Sequence, residues 1–549
     1  LAGATPAGDT PNWYPYAAPT GSLNDITVGR NGTCDEAAAY LCTAGEGFDG
    51  PTGLGTPNGV AAFRAPGPHG HLAGTVTDAS SHAPVANATV TVNGGGHSVT
   101  ATTDAAGRFY ITESVGTVTM TLAAFGYVGA TRTAEVTDGQ TATVDVALRA
   151  QPLVTLSGTV TDGSGHGWPL YATVLAPGTP LSPVRTDPFT GRYRMRVPVQ
   201  SALALRVQAD SAGYGTADAQ ITVDATDVGR DFAVPVDDET CAAAGYQHNY
   251  AGLPAQPFES TGVPAGWRVD NATENGGWEF NRGTVVPRTN ETTGSGNFAL
   301  IDTQFQDRKD TTLTTPPVDL TDVDHPVVGL RTRFVGYLPT QSADVSVSVD
   351  GGDTWSTIWN QDGLAIINGP LSLPIPQAAH RSGVLVRFHY AGQFARYWEL
   401  DDVYVGRRSC DPVAGGIIAG RVLDANTGDG VDGATVTALA HPDSPVTSVA
   451  TPDDDNIGDG YFALFGRGVG DQEVTASARN RVSLTRSVHV SADTVTRADF
   501  SLAAAALTVN RAAVTRDVRL GESGQASFTV TNSGSASAHV SLVEQPGGF

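Results

Sequence analysis

Gly74-Thr75-Val76-Thr77-Asp78, Ala88-Thr89-Val90-Thr91-Val92 and Thr103-Asp104-Ala105-Ala106-Gly107-Arg108-Phe109 make up one unit of a repeat that decides how most of this chain folds. The first two runs alternate apolar and polar residues, the period of a strand with one buried face. In the third, the Asp side chain can cap a turn, the glycine takes a positive φ and the aromatic returns to a core. The unit returns as Gly158-Thr159-Val160-Thr161-Asp162, Ala172-Thr173-Val174 and Thr186-Asp187-Pro188-Phe189-Thr190-Gly191-Arg192-Tyr193. A third copy reads Gly420-Arg421-Val422-Leu423-Asp424, Ala434-Thr435-Val436-Thr437 and Asp459-Gly460-Tyr461-Phe462. Each copy runs for about 85 residues broken by turn dipeptides, the pattern of a small antiparallel β-sandwich.

These repeats resemble the carboxypeptidase regulatory-like (transthyretin-like) domain family, most closely in the first and third copies. The resemblance implies a stabilising or spacer module. None of the copies carries the residues of a zinc carboxypeptidase centre, so the name implies no activity here.

Between the second and third copies lies a different module. Its landmarks are Phe258-Glu259, Pro264-Ala265-Gly266-Trp267, Gly277-Trp278-Glu279-Phe280, Phe298-Ala299-Leu300-Ile301-Asp302 and Trp398-Glu399-Leu400-Asp401-Asp402-Val403. Val345-Ser346-Val347-Ser348-Val349-Asp350 alternates strictly and runs into Asp350-Gly351, a hairpin signal. The order resembles the MAM/cleaved-adhesin type of jelly roll. That resemblance implies a structural calcium and a ligand-binding face for an extracellular matrix or glycan partner. Glu259, Asp302 and Asp402 each sit beside an apolar run and are the candidate calcium ligands, with exposed strand-end acids as the alternative. Trp267, Trp278, Trp355 and Trp398 read as core side chains in preference to a sugar-stacking platform.

Asn24-Asp25-Ile26-Thr27 and the run from Gly45-Glu46-Gly47-Phe48-Asp49 to Thr52-Gly53-Leu54-Gly55-Thr56-Pro57-Asn58 carry a different chemistry. Two carboxylates flank a glycine-rich loop whose carbonyls can turn inward, and calcium takes six or more such oxygens. The bland alternative is a surface turn without metal. This order of residues resembles the C-terminal end of the sedolisin (S53) serine peptidases, whose catalytic domain is a subtilisin-like α/β fold. It implies side-chain calcium ligands from Asp25 and Asp49, and backbone carbonyl ligands from Ile26, Gly45 and Gly47. The family's nucleophile lies in a Gly-Thr-Ser motif upstream of the calcium segment, partnered by Glu and Asp. No Gly-Thr-Ser occurs in this chain. With Leu1 first and Phe549 last, the sequence reads as an internal piece of a longer protein, without catalytic residues and inactive alone. A protein or peptide is the substrate expected for the parent enzyme.

Charge and cysteine fit that setting. The chain has 549 residues, 56 acidic against 32 basic, and a formal net charge of −24. Nucleic-acid binding needs a basic face and is excluded on this balance. Lys309 is the sole lysine, a bias that follows genome composition. Four cysteines can pair in three ways. Cys34 and Cys42 bracket a short loop while Cys241 and Cys410 bracket the jelly roll, so 34–42 with 241–410 is the natural pairing, and four free thiols the alternative. Disulfides imply an oxidising, extracellular compartment. No apolar run is long enough to span a membrane. Sequons at Asn31, Asn87, Asn271 and Asn290 are weak signals. No His-Glu-x-x-His is present, His69 and His71 sit in a Pro/Gly linker beginning at Arg64, and His389 reads as a structural residue on a strand.

The fold class expected is mainly β, a string of β-sandwich domains after a short C-terminal remnant of an α/β subtilisin-like domain. The expected order is the calcium-binding remnant (1–66), regulatory-like sandwiches (67–150 and 151–236), the jelly roll (237–411), a third regulatory-like sandwich (412–503) and the opening of an immunoglobulin-like domain (504–549). The function expected is a fragment of a secreted, calcium-binding sedolisin-like endopeptidase. The competing reading is a non-enzymatic extracellular adhesin or a matrix- or carbohydrate-binding protein.

Overall fold

The computed structural model describes residues 14–543, except 35, 64–67, 95–96, 282, 284–285, 306–307 and 455. The start of the expected linker, at 64–67, lies outside the described residues. The chain is nearly all β, organised as many separate sheets, as a string of β-sandwich domains requires. Its contacts divide it into two compact units. One runs to Val160 and includes Leu170–Gln208 and Thr216–Ala233; the other comprises Thr161–Pro169, Ala209–Gly215 and Val234 onward.

Two bonding features recur in all three copies of the repeat. In each copy a hydroxyl closes the sandwich: Thr103 accepts from the Ala88 N–H (2.8 Å) and donates to the Val85 carbonyl (2.7 Å). Thr186 does the same between Ala172 and Leu170, and Ser448 between Ala434 and Val431. A carboxylate likewise holds the first strand of each copy, with Asp145 accepting from Thr75, Asp231 from Thr159 and Asp499 from the Arg421 N–H. The capped turn is also present. Asp104 accepts from the Ala106 and Arg108 N–H groups, Gly107 has φ +73°, and Phe109 is buried.

One expectation is corrected. The repeats are not purely antiparallel, because the first strand pairs in parallel with strands from the end of the copy. His69–Asp78 runs parallel to Thr141–Thr143 and Val146–Ala150, Leu153–Asp162 to Val228–Gly229, and Gly415–Asp424 to Val495–Arg497 and Phe500–Leu502. Alternation marks a strand without naming its neighbour, and the hairpin-rich middle of each copy made antiparallel pairing the simpler guess. Replacing Thr103 with Val keeps the shape but orphans a buried N–H and a carbonyl. A loss of about 1–3 kcal/mol in urea unfolding is the expected outcome, and an unchanged midpoint contradicts it.

The jelly roll consists of two five-stranded antiparallel sheets. One is ordered Tyr246–Gln256, Tyr397–Pro412, Val327–Val335, Ile366–Pro374, with Ala299–Asp302 also on Tyr397–Pro412. The other is ordered Arg268–Asn271, Lys309–Thr314, Leu385–Gly392, Ser342–Ser348, Ser356–Asp362. Trp267, Trp278 and Trp398 are buried between them, with Trp398 packed on Trp278, Trp359 and Phe388. Trp355 differs: it lies partly exposed under the Arg387 guanidinium. The Asp350-Gly351 signal marks a real hairpin with a longer connection than a two-residue turn, since Val347 pairs with Ser356. Both disulfides form as expected, Cys34–Cys42 and Cys241–Cys410, one loop closing before the next opens. Toward the C-terminus, the described residues hold one two-stranded ladder, Leu507–Val509 with Val530–Asn532.

Candidate metal centre

Around the first acidic pair the chain folds tightly. Leu23–Asn24 pairs with Thr56–Pro57, and Gly55 lies so close to the Asn24 carbonyl that a Cβ there would sit 2.1 Å from it. This contact fixes Asp25 beside the loop that Asp49 closes. Asp25 accepts from the Gly47 N–H at 2.8 Å, and Asp49 accepts from the Gly45 N–H at 2.9 Å. Asp49 also takes the Thr52 N–H and hydroxyl, and that hydroxyl reaches the Ile26 carbonyl at 3.4 Å. All five residues named from the sequence therefore meet around residues 45–49. The Gly45 hydrogen bond, ahead of the opposing effect of burial, holds the Asp49 carboxyl below its ordinary range, so it stays ionised. Gly47, at φ +85°, makes the turn.

The three acids named in the jelly roll are placed separately. Asp302 is buried and paired with Arg288 at 2.7 Å, while its other oxygen accepts from the Gln304 N–H. Asp402 pairs with Arg331 at 3.3 Å. Glu259 accepts from the Asn297 N–H at 3.1 Å. The sequence reading did not single out Asp401 and Glu399, which are fully buried on the face of the Tyr397–Pro412 strand opposite Trp398 and Leu400. Asn290 donates to Asp401 at 2.8 Å, and a Cβ on Gly294 would come within 2.1 Å of the same carboxylate. A Cβ on Gly296 would likewise meet the Glu259 carboxylate. The loop 290–297 thus wraps Glu259 and Asp401 together. Burial, reinforced by Asp402 and Glu259, pushes the Asp401 carboxyl up to about 7. Burial, with Glu291 adding, pushes Glu399 to about 7 as well.

The side-chain groups at both places are carboxylates with no sulfur or imidazole among them, the chemistry a hard cation takes, and at the first place Gly45 and Gly47 present N–H groups to those carboxylates. Among the described residues no three His, Cys, Asp or Glu side chains assemble as a metal cage. Calcium at either place would therefore draw most of its ligands from main-chain oxygens and water.

Residues 71–149 match the family model described as the carboxypeptidase regulatory-like domain. A search of curated protein sequences finds no match. Among solved structures, the chain is similar to the K3 cleaved adhesin domain of Lys-gingipain from Porphyromonas gingivalis W83, at 15% identity over 29% of this chain and 98% of that one, TM-score 0.23. It is similar to TmCBM61, solved with β-1,4-galactotriose, at 14% identity over 28% and 94%, TM-score 0.21. It is also similar to the shaft pilin SpaA from Lactobacillus rhamnosus GG, at 11% identity over 31% and 98%, TM-score 0.17. No helix among the described residues is long and apolar enough to cross a membrane.

Proposed function

We propose that residues 14–63 form the calcium-clamped edge of a secreted sedolisin-like serine endopeptidase, and that the β-sandwiches after them are its spacer and binding modules. The convergence of Asp25 and Asp49 on one five-residue loop supports this reading most directly. A divalent ion held by both carboxylates would tie the residue 25 segment to the 45–49 loop, so the segment is expected to be stiffer with calcium than without it. A protein or peptide would be the substrate of the parent enzyme. Within this chain the residues act on stability alone.

Calorimetric titration of calcium into the chain and its Asp25→Ala/Asp49→Ala variant tests this. We expect the double variant to lose one binding event, and the calcium-dependent rise in melting temperature of this segment to vanish with it. Undiminished calcium protection in the variant would sink the proposal. A second candidate calcium position, at Glu259 and Asp401, is expected to persist in that variant. The competing reading, an extracellular adhesin or glycan-binding array without a peptidase, draws support from the amount of β-sandwich and the match over residues 71–149. A Gly-Thr-Ser element, preceded by Glu and Asp, in the upstream gene sequence decides between the two.

A further inference from the structure

One pole of the jelly roll gathers four of its strand connections. Asp302 lies opposite Tyr397, Lys309 opposite Gly392, Val335 opposite Ile366, and Ser342 opposite both Ala391 and Asp362. The connections 303–308, 336–341, 363–365 and 393–396 therefore meet at that end. Of the six large apolar side chains exposed in this module among the described residues, five sit there: Phe305, Tyr337, Leu364, Ile366 and Phe394, each 54–75% exposed. The sixth, Val263, precedes Arg268, whose partner Thr314 ends the strand that Lys309 begins, and so lies toward the far pole.

Hydrogen bonds tie the base of this pole together. Gln341 accepts from the Tyr337 N–H at 3.1 Å and the Arg396 N–H at 3.4 Å, and donates to the Val335 carbonyl at 3.1 Å. The Arg396 guanidinium reaches Gln304 at 3.2 Å, and the Gly336 N–H reaches the Ala365 carbonyl at 2.7 Å. The four connections thus hold one another while their apolar side chains stay in water. Phe305, at φ +65°, and Phe394, at φ +48°, occupy the left-handed region, which bulky residues avoid. A turn selected for stability alone would carry glycine or asparagine at both places, so these phenylalanines answer to something outside the fold.

We propose that this pole docks on a zwitterionic lipid surface, with the five side chains entering the boundary between headgroups and acyl chains. Exposed apolar clusters mark protein or membrane contacts. The five here are carried on separate connections with polar backbone between them, whereas a protein interface is built around a continuous, complementary core. A fluid lipid boundary accepts scattered anchors one by one. Tyr337 has the form of a headgroup-level anchor, an apolar ring with a polar tip, and the Arg396 guanidinium lies 5.4 Å over it. The charges at this pole give no preference for anionic lipid. Arg308 is paired with Asp310 at 3.1 Å, Arg396 is engaged by Gln304, and Asp362 is exposed. This inference is independent of the peptidase-edge reading, which rests on residues 14–63.

Co-sedimentation of the full chain with sucrose-loaded phosphatidylcholine vesicles, with and without phosphatidylserine, tests it. Binding to pure phosphatidylcholine is expected, with no gain from phosphatidylserine. Leu364→Asp/Phe394→Asp should weaken it about tenfold or more, because each carboxylate resists leaving water. Aspartate tolerates the left-handed backbone at 394, so the turn is kept. Val263→Asp, toward the far pole, should bind like the wild type. Leu364→Trp should be quenched by brominated phosphatidylcholine beyond the wild-type level. No binding to phosphatidylcholine, binding that requires phosphatidylserine, or binding unchanged in the double variant overturns the inference. So does a dimer seen by analytical ultracentrifugation without lipid and lost in the double variant, which would assign the pole to a second copy of the chain.

Discussion

Replacing Cys241 and Cys410 together with serine destabilises the jelly roll by about 5 kcal/mol, the loop-closure entropy of a bridge across 169 residues. The bridge joins the segment before Tyr246–Gln256 to Tyr397–Pro412, and these strands already pair from Tyr246–Pro412 to Gln256–Val403. In the folded state it therefore holds ends that hydrogen bonds also hold. Its effect falls on the unfolded chain, which it keeps looped. Urea unfolding followed by tryptophan fluorescence draws on the buried Trp267, Trp278 and Trp398 of this domain, and a Trp168→Phe background removes the buried tryptophan of the second repeat. A midpoint shared by the oxidised protein and the double variant contradicts the expectation.

The second large effect is a loss of stability as pH rises. Asp401 and Glu399 have folded-state pKa values near 7, well above those of the unfolded chain. Between about pH 4 and 7 the folded protein therefore binds more protons than the unfolded one, and stability falls as pH increases through that window. The penalty is a few kcal/mol at neutral pH when no cation is present. Calcium bound at the proposed Glu259 and Asp401 position would offset it. The clean measurement is the difference in melting temperature between wild type and Asp401→Asn, in chelator, from pH 4.5 to 7.5. The wild type should fall relative to the variant as pH rises, and added calcium should close the gap. A wild type that gains on the variant would reverse the sign and refute the assignment.

Why Asp402 was legible and Asp401 was not follows from one bulge. Counting by twos from the core residue Trp398 sends Leu400 inward and should send residue 402 after it. Instead Asp402 takes φ +48°, the register slips between Gly329 and Arg331 on one neighbour and between Leu253 and Gln256 on the other, and Val403 and Val405 return to the core. A strand pattern carries no mark for that extra residue, although Asp tolerates the conformation. Elements set by short-range chemistry fared better. The Asp104 turn, the turn of the glycine-rich 45–49 loop and the sequential disulfides all involve residues near one another or paired by simple order. The polar row of Asp310, His389 and Asp344 was missed because its members come from three separate strands, and the register 344↔389 joins two of them. His389, read as a structural strand residue, is the centre of that row, with Nδ1 2.7 Å from Asp344 and Nε2 3.0 Å from Asp310.

Parallel pairing of first and last strands has a mechanical consequence for the three repeats. The polypeptide enters each sandwich at one pole and leaves from the opposite pole, along two neighbouring strands pointing the same way. Tension pulled through the chain therefore loads their shared hydrogen bonds side by side in shear, and they must yield together. A hairpin of antiparallel termini would instead peel open one bond at a time. The repeats are thus built to transmit force lengthwise without coming apart.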